Sequence, residues 1–345
     1  MSPSVIKKIA LFLICLFLYS VNIQSKEKII IGVHGLGNKV SKDLYTKYWE
    51  QSITEGIKLI SPDFSESFNL ELCYWADFFY PEPLIEDSSI ISDIINKNFS
   101  RVDSKIINDN IYDFQPYLPA VNPKREKVKP LKAEIKKYTL QRFKGLLTSI
   151  KIPVPGTITN LVIDNTLKEL GFYFENKFVV VNHKNEKELI REAIQNDLIE
   201  IIKKHGNKDI MLIGHSMGTI IAYDALIKLS RTDPDIKISY FVTIGSPLGI
   251  PPVRDQIKSI YGYKVLKVPE NIKNEWYNFT DLRDNVAFDP ALEDYFKENS
   301  KKLTIIDDLV INDYIAPGGK PNYHKEYGYL RCERMSNLIM YFLCE

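Results

Sequence analysis

The chain has 345 residues, of which 45% are hydrophobic and 26% charged, a globular composition with ample apolar material for a large core. Its 45 Lys and Arg against 44 Asp and Glu give a formal net charge of +1, which offers no electrostatic footprint for nucleic acid or another polyanion. There is no internal repeat or low-complexity tract to suggest a solenoid or a linker.

The N-terminus reads as a targeting segment. Lys7 and Lys8 precede the apolar run Ile9 to Tyr19, and small polar residues such as Ser20 and Ser25 follow. That is the layout of a secretory signal peptide over residues 1–25. The run is short for a membrane span, which needs about 20 apolar residues; an uncleaved N-terminal anchor is the rival reading. Export to a periplasmic or extracellular space is expected.

Lys28 to Val33 is a mostly apolar run that ends in the glycine-rich HGLGN, a buried parallel strand followed by a tight loop. Asp43 to Ile60 has helical spacing, and Phe68 to Tyr74 alternates as a strand. From about 88 to 171 the alternation of strand and helix is lost. This stretch is expected to be an insertion over a single core domain spanning 26–345. Within it, Leu131 to Ile150 recovers a helical period with its lysines largely off the apolar face, and PVPG at Pro153 to Gly156 stops it. Such a helix could contact an anionic membrane surface, although a plain covering helix shows the same pattern.

Regular order returns after Asn182. Glu186 to Lys204 reads as a long amphipathic helix stopped by Gly206. Asp209 to Gly214 is an apolar strand, Met217 to Leu229 a helix and Ser239 to Gly245 a strand. Glu275 to Phe279 and Leu303 to Val310 complete the strands, and Arg331 to Phe342 is a closing helix. Strands alternating with helices imply a mostly parallel sheet covered on both faces. Of the four cysteines, Cys15 lies in the leader segment. Cys332 and Cys344 could pair, but their spacing also fits two buried thiols on a C-terminal helix, the preferred reading. No CxxC spacing or other pattern calls for a metal or an organic cofactor.

The chemistry concentrates in Gly214-His215-Ser216-Met217-Gly218, a G-x-S-x-G between an apolar strand and a helix. A sharp strand-to-helix turn exposes the Ser216 oxygen above the sheet edge. Side chains at 214 and 218 would clash with neighbouring elements, so glycine fills both. Serine is a poor nucleophile at neutral pH and needs a base within hydrogen-bond reach, usually histidine. The chain has five histidines.

GHSMG after an apolar strand resembles the nucleophile elbow of α/β-hydrolase lipases and esterases. HGLGN at His34 to Asn38 is similar to the oxyanion loop of that family, and GSPLG at Gly245 to Gly249 resembles the loop after its next strand. The resemblance implies an α/β-hydrolase fold: a mostly parallel central sheet flanked by helices, with the 88–171 insertion as a helical cap or lid. It also implies the chain order Ser, acid, His. Of the five histidines only His324 follows Ser216, in the loop GGKPNYHKEYGY. His34 is then a structural member of the oxyanion loop, His215 is turned away by the elbow, and His183 and His205 are solvated. The orienting acid falls in TDLRDNVAFDP. The family's Asp-Pro-Val pattern favours Asp284, with Asn285 in place of proline; Asp281 is second, Asp289 is a further candidate, and Asp307 and Asp308 lie further off. The resemblance assigns the oxyanion donors to the N–H groups of Met217 and Leu36, with Gly35 and Gly37 permitting close approach.

The expected activity is carboxylic-ester hydrolysis, by an esterase or lipase, on a small-molecule ester or a lipid. Lipid acyl transfer on the same fold and a non-catalytic binding protein remain as alternatives.

Overall fold

The computed structural model describes residues 26–316, apart from 66, 85–116, 119, 121–167 and 176, and residues 319–344. The leader segment and nearly all of the insertion, including the cationic helix expected at Leu131 to Ile150, lie outside the described residues.

Among the described residues, six parallel strands form the central sheet. In chain order they are β1 (Lys28–Val33), β2 (Leu70–Cys73), β5 (Asp209–His215), β6 (Ile238–Ile244), β8 (Ile272–Thr280) and β10 (Ile305–Leu309). Their spatial order is β10-β8-β6-β5-β1-β2, and every neighbouring pair is parallel. The chain builds outward from β1 to β2, then crosses back to place β5 on the other side of β1. The order reverses there, and in open α/β sheets ligands bind outside the carboxyl ends of the strands at such a reversal.

Alternate residues of each strand supply two separate cores, because successive side chains point to opposite faces. Ile29, Ile31, Val33, Ile210, Leu212, Phe241 and Trp276 face one side. They pack against α3 (Ile190–Lys204) and α4 (Met217–Thr232) through residues such as Ile194, Leu198, Ile220 and Ile221. Ile30, Leu72, Met211, Ile213 and Val242 face the other side, against Trp49 and Ile53 of α1 (Lys42–Ile60) and Met335 and Ile339 of α7 (Glu333–Cys344). Gly32 lies directly beneath Trp49. A Cβ there would meet that ring at 2.7 Å and Leu72 at 2.4 Å, so glycine is what lets α1 settle on the sheet.

Several expected boundaries shift. Lys187–Leu189 is not the start of a helix but β4, which pairs antiparallel with β3 (Val179–Val181) around a turn where Asn185 has φ of 62°. Helix α3 therefore begins at Ile190. Helix α2 (Lys168–Phe174) overlaps the end of the expected insertion and packs on the core through Tyr173 and Phe174. Four further elements have no counterpart among the expected ones. They are α5 (Pro251–Tyr261), the two-residue pair β7 (Leu266–Lys267) with β9 (Phe296–Lys297), and α6 (Glu326–Leu330). Cys332 is half-buried and Cys344 exposed, both as free thiols, so the expected pair of buried thiols is not found. Among the described residues, no helix is long and apolar enough to cross a membrane.

Candidate active site

Ser216 joins β5 to α4 and occupies a backbone conformation, φ 52° and ψ −127°, that costs a non-glycine residue on the order of 1–3 kcal/mol. The surroundings hold it there. Its N–H donates to the Ile244 carbonyl at 3.1 Å, and its carbonyl accepts from Thr219 N–H at 2.9 Å and Thr219 Oγ1 at 2.7 Å. A Cβ at Gly214 would stand 2.9 Å from the Gly218 carbonyl, and one at Gly218 would stand 2.2 Å from the Val33 carbonyl and 2.5 Å from that of His34. These obstacles are backbone and cannot swing aside. Gly218→Ala is accordingly expected to lower stability by about 3 kcal/mol or more through overpacking. Chemical denaturation checks this, with a change under about 1 kcal/mol contradicting it.

His324 reaches the elbow from the loop before α6. Its Nε2 lies 2.9 Å from Ser216 Oγ, and its Nδ1 lies 2.8 Å from Asp284 Oδ2. The three side chains stand 108 and 40 residues apart along the chain, yet form one hydrogen-bonded line. The sheet explains the convergence: Ser216 follows β5, Asp284 follows β8, and His324 follows β10, all at carboxyl ends. Gly245, at φ 56°, lies under this line. A Cβ there would be 3.0 Å from Asp284 Oδ2 and 3.2 Å from His324 Nδ1.

Asp284 is almost fully buried, and its carboxylate is well supplied with donors. Oδ2 also accepts from Tyr329 OH at 2.8 Å, and Oδ1 accepts from the N–H groups of Val286 at 2.8 Å and Ala287 at 3.2 Å. Burial alone would raise its pKa. The His324 imidazole, Tyr329 and the Val286 N–H outweigh burial and hold the carboxyl below the usual carboxylate range. Asp281, the second candidate, points elsewhere. Its oxygens accept from Arg283 N, Nε and Nη2 and from the backbone N–H of Asn312. Asp289 accepts from Ala291 N–H and Tyr295 OH. Asp307 accepts from Asn278 and the Glu293 N–H, and Asp308 from Arg334. Of these five carboxylates, Asp284 is the one hydrogen-bonded to His324.

Tyr329 was not visible as a site residue in the sequence. Its hydroxyl donates to Asp284 and accepts from Asp281 N–H at 3.0 Å. The stability that ionised Asp284 contributes is present above the ordinary carboxylate range and lost as pH falls through its lowered folded pKa. Removing one donor raises that folded pKa. Tyr329→Phe is therefore expected to cost about 1–3 kcal/mol near neutral pH and to move acid unfolding to higher pH. A pH series of denaturant melts checks this, and an unmoved acid limb contradicts it.

His215 points away from the Ser216 oxygen, as the elbow requires, but has its own task. Its Nε2–H donates to the His324 carbonyl at 2.8 Å, bracing the base-bearing loop. Burial, then the charge of neighbouring His324, pushes its pKa down to about 3, so it is neutral. Beyond it, Glu326 is buried and accepts from Tyr45 OH at 2.7 Å. Burial opposes ionisation of Glu326, but the ammonium groups of Lys325 and Lys39 outweigh it and its pKa falls. His183 is half-exposed beside Asp77 and Asp197. His205 is not solvated as expected: it is 9% exposed at the end of α3 and sits 2.7 Å from Glu71.

The loop after β1 lies against the nucleophile. A Cβ on Gly35 would be 2.8 Å from the Ser216 Cβ. Buried His34 accepts the Trp75 N–H at Nε2, 3.1 Å away, and donates from Nδ1 to the Gly35 carbonyl at 2.8 Å. Burial, then the charge of Lys39, lowers its pKa well below the ordinary histidine value, which agrees with this neutral tautomer. Met217 is the first residue of the 16-residue α4, so its N–H has no intrahelical acceptor and sits at the positive end of the helix dipole.

The sheet order, the strained serine at the carboxyl end of β5 and the glycine-flanked turn define an α/β-hydrolase fold. Of the comparisons with known proteins, the family match points the same way. Residues 174–314 match the family described as PGAP1-like alpha/beta domain, a span that contains Ser216 and Asp284 and stops before His324. No curated protein matches the chain. A solved structure described as a "putative cell surface hydrolase" from Lactobacillus plantarum WCFS1 is similar at 10% identity and a TM-score of 0.32, covering 93% of this chain and 92% of its own.

Proposed function

We propose that this chain is a serine carboxylic-ester hydrolase that works through an acyl-enzyme. One observation carries the reading: Ser216 Oγ, His324 and Asp284 lie in a single line of hydrogen bonds of 2.9 and 2.8 Å. His324 Nε2 takes the Ser216 proton as Oγ attacks an ester carbonyl, and Asp284 keeps the imidazole oriented and stabilises the imidazolium. The developing oxyanion is met by the N–H groups of Met217 and Leu36. The imidazolium then protonates the departing alkoxide. Water, activated by the same histidine, releases the acid. The substrate is a small-molecule ester or a lipid, and the leader-like residues 1–25 accord with an enzyme that acts after export.

The reading predicts turnover of chromogenic p-nitrophenyl esters, with a pre-steady-state burst of nitrophenol equal to the enzyme present. The length of the preferred acyl chain follows from the same series, and added alcohol separates hydrolysis from acyl transfer by product. No burst and no turnover on any ester from acetate to palmitate would refute it.

A further inference from the structure

Glu169 is 7% exposed, comes from α2, and sends its carboxylate into the loop after β1. The Gly37 N–H donates to both of its oxygens, at 2.9 and 3.1 Å, across 132 residues of chain. Tyr80 OH donates to Oε1 from the other side. Nothing in the proposed chemistry uses this carboxylate.

What it holds is the peptide next to a proposed oxyanion donor. In a trans peptide the C=O and N–H point in opposite directions. The Leu36–Gly37 peptide is gripped at both ends, since its carbonyl accepts from Lys39 Nζ and its N–H donates to Glu169. Lys39 Nζ also takes the Gly37 carbonyl at 2.9 Å. The preceding peptide is gripped at one end, where the Gly35 carbonyl accepts from His34 Nδ1. Its other end is the Leu36 N–H, which must then point away from the His34 ring. Gly37 is at φ 87°, a conformation that leaves the loop few alternatives to glycine and makes it easy to distort once a grip is lost.

We infer that Glu169 is a positioning residue for the oxyanion loop: by fixing the Gly37 N–H it sets the direction of the Leu36 N–H toward the substrate oxygen. This inference rests on the ester-hydrolase reading above. A donor aimed at the oxyanion acts in the transition state more than in the ground state. Glu169→Ala is thus expected to lower kcat about 10- to 100-fold, less than the loss of a whole oxyanion donor, with KM held within about twofold. Affinity for a trifluoromethyl ketone, which forms the tetrahedral adduct, should fall by the same factor as kcat.

Conservative replacements sharpen the test. Glu169→Gln keeps a carbonyl oxygen for the Gly37 N–H, while the Tyr80 hydroxyl can turn to accept from the amide, so most of the loss should be recovered. Glu169→Asp falls one methylene short and should not recover it. A kcat for Glu169→Ala within about twofold of the parent, or a kcat loss with unchanged ketone affinity, would overturn the inference. If the alanine variant does not fold, the Gln and Asp variants decide, and equal rates for the two overturn it. Absence of both burst and turnover on every ester with the unaltered chain would instead remove the hydrolase reading, and this inference with it.

Discussion

Ser216→Ala is expected to lower kcat/KM for an ester substrate by about 10⁴-fold or more, leaving only what the oxyanion donors and binding supply without a nucleophile. The loss should come without unfolding. The elbow is held by the Ser216 backbone, through bonds to Ile244 and Thr219, and alanine keeps that backbone. Replacing His324 by alanine should cost about as much as replacing Ser216, and the double variant little more, because the two act as a unit. Additive losses would mean that the 2.9 Å contact between them is not the working one. The measurement is steady-state kinetics on the best ester of the series, with a thermal melt of each variant to verify folding.

Asp284→Asn is expected to lower kcat about 10⁴-fold. An amide at this position can present an N–H to His324 Nδ1, which stabilises the tautomer with its proton on Nε2 and leaves no base facing Ser216. Asp281→Asn makes the contrast. That carboxylate serves Arg283 and the Asn312 N–H, so its loss should cost about 1–3 kcal/mol of stability and leave kcat within about tenfold of the parent. Kinetics and denaturant melts on the two variants give a crossed result. The opposite pattern, with Asp281→Asn inactive and Asp284→Asn merely unstable, would transfer the orienting role to Asp281.

That the sequence pointed to both aspartates shows where its legibility ends. TDLRDNVAFDP places three carboxylates within nine residues, and one turn of loop decides which one faces the histidine. The turn is fixed by the Asp284 N–H donating to the Asp281 carbonyl and by Tyr329, which arrives from 45 residues away. A linear pattern does not carry that contact. The same holds for Glu169 and Gly37, whose pairing has no local signature at all.

Elements with strong local signals were read well. Lys28–Val33 is a strand because an apolar run ends at a glycine turn, and the GHSMG elbow identifies both its strand and its helix. The chain order that the α/β-hydrolase resemblance implies points to His324, because only one histidine follows Ser216. Failures came where two signals compete. Lys187–Leu189 fits a helical period as well as a strand, and the asparagines at 182 and 185 that close the β3–β4 turn were the better clue. Pro251 and Pro252 act as breakers in many contexts, yet here they occupy the first turn of α5, where a missing N–H costs nothing, and Gly262 at φ 67° ends it.

The central claim is that Ser216 is the nucleophile. The most direct measurement is peptide mapping by mass spectrometry after treatment with a fluorophosphonate. The account predicts one adduct per chain, on the peptide that carries Ser216, forming at a rate that falls steeply in the Asp284→Asn variant. An unmodified Ser216 peptide, or an adduct on another residue that persists in Ser216→Ala, would contradict it.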